Sequence, residues 1–199
     1  MCGICGVAEG SGQDSVARMS AKLIHRGPDD VGFNRFDGIS IGVRRLSIID
    51  VLGGRQPIAS EDGSVVVVLN GEIYNYPELR KRLGRQGHTF STQSDTEVLV
   101  HLYEEYGDSF VQLLQGMFAF ALWDNKRHRL LLARDRLGIK PLYYAIIPDG
   151  LVFASEAKAL FQHPKLNPEI NSNALGQYLS LLTPRKSECP PTTYRKLRY

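Results

Sequence analysis

The chain is poor in the residues that commit a protein to several common designs. Of its 199 residues only three are cysteine, Cys2, Cys5 and Cys189. An odd number without framework spacing excludes a disulfide scaffold and fits reduced thiols, with the cytoplasm as the expected compartment. No apolar run approaches the ~20 residues needed to span a bilayer, and no basic stretch followed by an apolar signal segment opens the chain; no membrane partner is expected. Charge of one sign is lacking too. Lys and Arg number 24 against 21 Asp and Glu, a formal +3, and much of the surplus lies between Arg185 and Arg198, so the near-neutral body argues against a nucleic-acid partner. No glycine-rich loop ending in Gly-Lys-Ser or Gly-Lys-Thr occurs, which leaves no visible nucleotide site. Cys2-Gly3-Ile4-Cys5 fits C-x-x-C, as in a redox pair or half a zinc site, but no second pair follows. His25, His88, His101, His128 and His163 are scattered, so no metal centre is expected from spacing.

What is present is core material. With 43% hydrophobic and 23% charged residues, the chain suits one large domain or a domain with a tail. Strand-like runs dominate: Gly3 to Ala8, Val31 to Phe36, Ile39 to Leu46, Val65 to Leu69, Phe118 to Trp123, Arg129 to Ala133, Leu142 to Ile147 and Leu151 to Ala154. Asp37-Gly38, Pro148-Asp149-Gly150 and the polar stretch Asp124 to His128 read as short hairpin connections and predict antiparallel pairing. Helical periodicity covers Val16 to Ile24 and Thr96 to Tyr106; Pro77 starts a third helix and Ser155 a short fourth. The class is therefore α+β. Val65 to Leu69 lacks period-two alternation, which predicts a strand covered on both faces and suits a four-layer αββα sandwich of two mainly antiparallel sheets. The domain is expected over 1–182, with a proline-rich, basic tail at 183–199.

The chemistry centres on Cys2. Removal of Met1, which the small size of cysteine favours, leaves a thiol and a free α-amine on one residue. A thiolate attacks carbonyl carbon, and an α-amine of pKa ~7.7–8.0 takes up its proton at neutral pH without a histidine. Asn70-Gly71, after the buried strand, reads as a hairpin turn, for which it is the strongest short signal, or else as a side-chain amide and an unencumbered N–H that form an oxyanion hole. Arg44 and Arg45 fall in an apolar strand pattern, so one of them should have a specific anionic partner, either an internal carboxylate or one on a ligand. Ser94-Asp95-Thr96-Glu97 reads as a capping box with Ser94 as cap and Glu97 reaching back, which places Asp95 in the first helical turn. His25, in the polar turn His25 to Asp30, is expected at the surface or behind the site.

Taken in order, the segments Met1 to Gly6, His25 to Asp29, Arg45 to Asp50, Asn70 to Asn75, Ser94 to Glu97, Gly116 to Ala121 and Arg134 to Tyr143 resemble the glutaminase domain of glutamine-hydrolysing asparagine synthetases. These are class II glutamine amidotransferases of the N-terminal-nucleophile hydrolase superfamily. The resemblance runs over roughly the first 160 residues. It implies the αββα fold, L-glutamine as substrate, Cys2 as nucleophile and the Cys2 α-amine as base. It also implies Asn70 and Gly71 as the oxyanion hole, Arg45 on the glutamine carboxylate, Glu72 and Asp95 on its ammonium, and help from the backbone of Leu46, Ser47, Ile48 and Ile49. It implies no cofactor in this chain, with ATP and Mg belonging to a synthetase domain or chain that receives the ammonia, and it leaves room for a homodimer. The stretch Leu182 to Glu188 departs from the family pattern. Two other readings keep the fold: a glutaminase serving a different amidated acceptor, and a non-catalytic glutamine-binding or docking module.

Overall fold

The computed structural model describes residues 1–9 and 13–181; the expected tail at 183–199 lies outside them. Nine strands form two antiparallel sheets among the described residues. The first sheet holds β1 (Gly3–Ala8), β2 (Asp30–Phe36), β3 (Ile39–Arg45), β8 (Tyr143–Ile147) and β9 (Gly150–Ala154) in the order β2-β3-β1-β9-β8. The second holds β4 (Ile58–Ala59), β5 (Val65–Ile73), β6 (Gly116–Asp124) and β7 (Arg129–Arg134) in that order. The three anticipated hairpins are there. Phe36 pairs with Ile39 around Asp37-Gly38, Ile147 with Gly150 around Pro148-Asp149, and Asp124 with Arg129. Gly38, at φ 80, supplies the left-handed conformation that so short a loop demands.

The uninterrupted valines of β5 conceal a strict alternation. Val65, Val67, Leu69 and Ile73 face helices α2 (Tyr76–Arg85) and α3 (Glu97–Tyr106), while Val68 faces the other sheet with Ile4, Ile41, Val43, Ala121 and Phe153. Both faces are apolar because both are covered. On the far side, Cys5 and Val7 of β1 pack on Val16 and Met19 of α1 (Gln13–Ala21) and on Ala159 and Leu160 of α4 (Ala157–Leu160). The layers thus run helices, sheet, sheet, helices, the expected αββα order. A fifth helix, α5 (Ser172–Leu181), and the two-residue β4 were not anticipated. Among the described residues no helix is long and apolar enough to cross a membrane.

Two expectations need correction. Asn70-Gly71 is no hairpin turn, since β5 continues through it to Ile73 in register with Gly116. The turn preference yields because β6 pairs with every residue of β5 and each paired residue gains burial. Nor is Ser94 the cap of α3. The helix starts at Glu97 with Thr96 before it and no side-chain cap bond. The buried Glu97 carboxylate instead accepts hydrogen bonds from the N–H groups of Ser91 and Thr92 at 2.7 and 2.8 Å and from both of their hydroxyls. Four local donors hold it more firmly than one cap N–H could, so the loop ahead of the helix is pinned instead of the helix end.

Candidate active site

At the end of the sandwich where β1 begins, the two sheets part around a cavity of about 200 Å³. Cys2 has the parity of Ile4, so its side chain enters this space from the first sheet. Asn70 has the parity of Val68 and enters from the second. The Cys2 thiol lies 3.8 Å from the Leu46 carbonyl. Burial raises its pKa above the ordinary thiol value, while the Leu46 contact, the chain's terminal ammonium and Arg45 oppose that rise. The Met1 ammonium is lowered, first by burial and then by Arg26 and Lys140, while the neighbouring Cys2 opposes the fall. Arg26 anchors this corner. Its Nε donates to the Cys2 carbonyl at 2.9 Å and its Nη1 to Glu156 at 3.0 Å. His25 lies behind the site at the surface, 2.9 Å from the same Glu156 oxygen, as anticipated.

Asn70 is the anomaly of the wall. It is 0% exposed, and neither its Nδ2 nor its Oδ1 has a hydrogen-bond partner. A buried primary amide left wholly unpaired costs roughly 1–3 kcal/mol per group, which a fold tolerates when a ligand supplies the partner. Its neighbour Gly71 completes a pattern written by strand periodicity. Phe118, opposite Gly71, turns its carbonyl toward Asp135, whose N–H donates to it at 2.8 Å. The Gly71–Phe118 pair is therefore not hydrogen-bonded, and the N–H groups of Leu69, Gly71 and Ile73 all point to the uncovered edge of β5. Gln56 Oε1 accepts from Leu69 N at 2.7 Å and Asp95 Oδ2 from Ile73 N at 2.9 Å. The Gly71 N–H stands between these two, aimed into the cavity. Glycine is required there: at φ 153, a Cβ would come within 2.1 Å of the Met117 carbonyl.

Charge is arranged around the same space. Arg45 is 4% exposed and donates to the carbonyls of Val51, Ile49 and Asp50 at 3.1, 3.0 and 2.7 Å. Among the described residues no carboxylate forms an ion pair with it, so the anionic partner anticipated for one of the two arginines is not internal; Arg44 turns instead to Ser20. Asp50 holds the loop around Arg45 by accepting from Gly53 N and Gln93 N at 2.9 and 2.7 Å, and these bonds depress its pKa. Across the cavity burial raises the pKa of Asp95, and neighbouring Glu72 adds to the rise. Among the described residues, then, a buried guanidinium and a buried carboxyl line one cavity and neither has an ion-pair partner.

Leu46, Ile48, Ile49, Asn70, Gly71, Glu72 and Asp95 all line the cavity with Cys2 and Arg45. Ser47 does not. Its N–H donates to Asp29 Oδ2 at 2.8 Å and it faces a separate depression. Three further wall residues were not read as part of the site, although Thr96 fell within the capping pattern. Gln56 bridges Leu69 N and, through Nε2, Thr96 Oγ1 at 3.2 Å. Thr96 lies beside it, and the buried Lys140 reaches the Met1 sulfur at 3.0 Å. Lys140 falls in the Arg134 to Tyr143 segment, where a lone lysine among loop residues has no pattern to mark it.

Comparison with known proteins places the chain in a family. A family described as a glutamine amidotransferase domain matches residues 1–199. Glutamine-hydrolyzing asparagine synthetase 1 of Bacillus subtilis (strain 168) is 46% identical over 187 residues, covering 90% of this chain and 29% of that protein. Glutamine-hydrolyzing asparagine synthetase 2 of Oryza sativa subsp. japonica is 48% identical over 166 residues, covering 80% of this chain and 28% of that protein. The chain therefore spans less than a third of the length of these relatives. Among solved structures, the glutamine phosphoribosylpyrophosphate amidotransferase of B. subtilis superposes with a TM-score of 0.67 at 25% identity, over 80% of this chain and 43% of that one. The α+β sandwich is thus that of the N-terminal-nucleophile amidotransferases, and the chain belongs to the glutamine amidotransferase domain family.

Proposed function

We propose that this chain hydrolyses L-glutamine to glutamate and ammonia, and that the ammonia serves an ATP-dependent synthetase that converts aspartate to asparagine. The observation that carries the first half is the unpaired Asn70 amide, buried beside an open Gly71 N–H in the cavity that holds Cys2. Arg45 binds the glutamine α-carboxylate with the N–H donors its loop carbonyls leave free, and Asp95 with Glu72 binds the α-ammonium. Both ends of the substrate then neutralise charges the empty fold leaves exposed to burial, which fixes the side-chain amide against the thiol. Backbone from Leu46 to Ile49 closes the wall on the carboxylate side.

With Met1 removed, the Cys2 α-amine takes the thiol proton and the thiolate adds to the amide carbon. The oxyanion develops between Asn70 Nδ2–H and Gly71 N–H. The α-ammonium returns the proton to the departing nitrogen, the C–N bond breaks, and ammonia leaves a γ-glutamyl thioester on Cys2. A water deprotonated by the same amine then adds to the thioester, and C–S cleavage releases glutamate and the thiol. The reading is tested by glutamate release from glutamine. Asn70→Ala should lower kcat by ~10²–10³ with little change in KM, the typical loss for one oxyanion donor. Turnover that survives this substitution removes the assigned role. The asparagine half rests on the named relatives, and it is tested by asking whether added synthetase couples the released ammonia to asparagine formation.

A further inference from the structure

Far from the cavity, on the outer face of the second helical layer, two imidazoles and three carboxylates meet. His88 follows α2, His101, Glu104 and Glu105 lie on α3, and Glu61 lies in the turn before β5. His88 Nδ1 and His101 Nδ1 are 3.1 Å apart. Glu104 Oε2 is 3.2 Å from His101 Nδ1 and 3.8 Å from His88 Nδ1, and Glu61 Oε2 is 3.8 Å from His101 Nδ1. We propose that Glu61, His88, His101 and Glu104 form a structural site for a divalent transition-metal ion, zinc first among them.

The distances carry the proposal. Bonds of ~2.0–2.1 Å to a tetrahedral zinc place neighbouring donors ~3.3–3.4 Å apart; four of the separations among these donors run from 3.1 to 3.8 Å and bracket that edge, and the ligand atoms of Glu61, His88 and His101 all lie within 4.8 Å of one another. Orientation agrees. His88 Nε2 lies 3.0 Å from Glu105 Oε1, so with its proton on Nε2 the ring turns the Nδ1 lone pair to the cluster, the arrangement in which a carboxylate orients a metal-bound histidine. The second oxygen of Glu61 is already held, accepting from Thr89 Oγ1 at 3.2 Å, which aims Oε2 at the group. Charge agrees as well. Among the described residues none of Glu61, Glu104 or Glu105 is paired with lysine or arginine; all their ion-pair contacts are to the two imidazoles. One dication would meet all four donors at once. His101 is buried and His88 nearly so, while Glu61 is exposed and gives the ion a path from solvent.

Such an ion would tie the segment after α2, and the turn at Glu61, to the helix that follows Asp95. It stiffens the scaffold of the ammonium pocket without touching substrate. The test uses the full chain carrying Cys2→Ser, so that the reactive thiol binds no metal, and measures zinc by competition with a chromogenic chelator and cobalt by its visible spectrum. One tightly held zinc per chain, tetrahedral cobalt bands and a melting temperature raised by zinc are expected. His88→Gln should weaken zinc binding by more than tenfold and abolish the zinc-dependent rise in melting temperature. Glu105→Gln should weaken binding ~10–100-fold, as outer carboxylates do. The wild-type cobalt spectrum keeps the test sound if His101→Gln fails to fold. No bound zinc, octahedral cobalt, or affinity indifferent to His88→Gln and Glu105→Gln would overturn the site.

Discussion

Cys2 and Cys5 belong to the same few residues of chain yet occupy opposite faces of one sheet, and everything around them differs. Behind the sheet, Cys5 is fully enclosed by Val16, Met19 and the α4 side chains, and burial pushes its thiol up to about 12. Between the sheets, Cys2 is also partly buried, but its wall holds an ammonium, a guanidinium and an unpaired amide. Two carboxylates repeat the contrast. Asp95, in the cavity wall, is raised by burial and has no ion-pair partner among the described residues. For Glu156, behind the site, burial pushes upward too, but hydrogen bonds from His25, Arg26 and Lys158 prevail and hold it at about 2. Burial alone therefore makes a group inert. Reactivity belongs to the region where polar groups are enclosed and left unanswered.

The comparison breaks most sharply at the thiols. Cys2→Ala should reduce glutamate release to background, whereas Cys5→Ala should leave kcat within about twofold and cost about 1 kcal/mol of stability, the common cost of a point change. Iodoacetamide on the native protein should label Cys2 and spare Cys5, read by peptide mass spectrometry; labelling of Cys5 would erase the distinction.

A middle-sized effect is expected at Asp95. Asp95→Asn should raise KM for glutamine ~10–100-fold, through loss of an ionic hydrogen bond worth ~1.5–3 kcal/mol. The same variant should melt higher than the parent at neutral pH. The sign follows from linkage: a carboxyl whose folded pKa lies above its unfolded value of 3.8 binds more protons when folded, so stability falls as pH rises through that interval and stays lower above it. An asparagine escapes that loss. An unchanged or lower melting temperature would show that the Ile73 bond already answers the charge.

Glu156 should give the smallest effect and the opposite pH dependence. Its folded pKa of about 2 lies below the ordinary 4.5, so its contribution is present above 4.5 and disappears as pH falls toward 2. Chemical denaturation at a series of pH values should show the parent losing more stability than Glu156→Gln across that range. Parallel curves would mean that solvent screening leaves its three partners with no net effect.

Much of the fold could be read from periodicity. The strands from Gly3 to Ala154 and their hairpins follow from apolar runs punctuated by Asp-Gly and Pro-Asp-Gly, because turn chemistry is local. The misreadings occur where a tertiary contact outranks a local preference. Asn-Gly is a turn signal until a partner strand covers both residues, and a serine three places before a glutamate is a cap until a loop supplies four donors. β4 was too short to carry a pattern. The amide of Asn70 read first as part of a turn, whereas the cysteine at position 2 and an arginine in an apolar strand pattern were legible as parts of the proposed site. Gln56, Thr96 and Lys140 were not, since a polar residue in an irregular loop is unremarkable until the loop is folded against a cavity. The His88 and His101 pair was hidden for a related reason: the two stand 13 positions apart with a helix start between them, and no short motif would join them.

The place of β1 has one more consequence. Chain termini are ordinarily the first part of a domain to fray, yet this strand is laced to β3 along one side and β9 along the other, at the middle of its sheet. Loosening the strand that follows Cys2 therefore means opening the sheet's centre, among the costlier local openings a fold can undergo. The Cys2 thiol, the proposed nucleophile, stands next to that strand and inherits the rigidity of the sheet's interior.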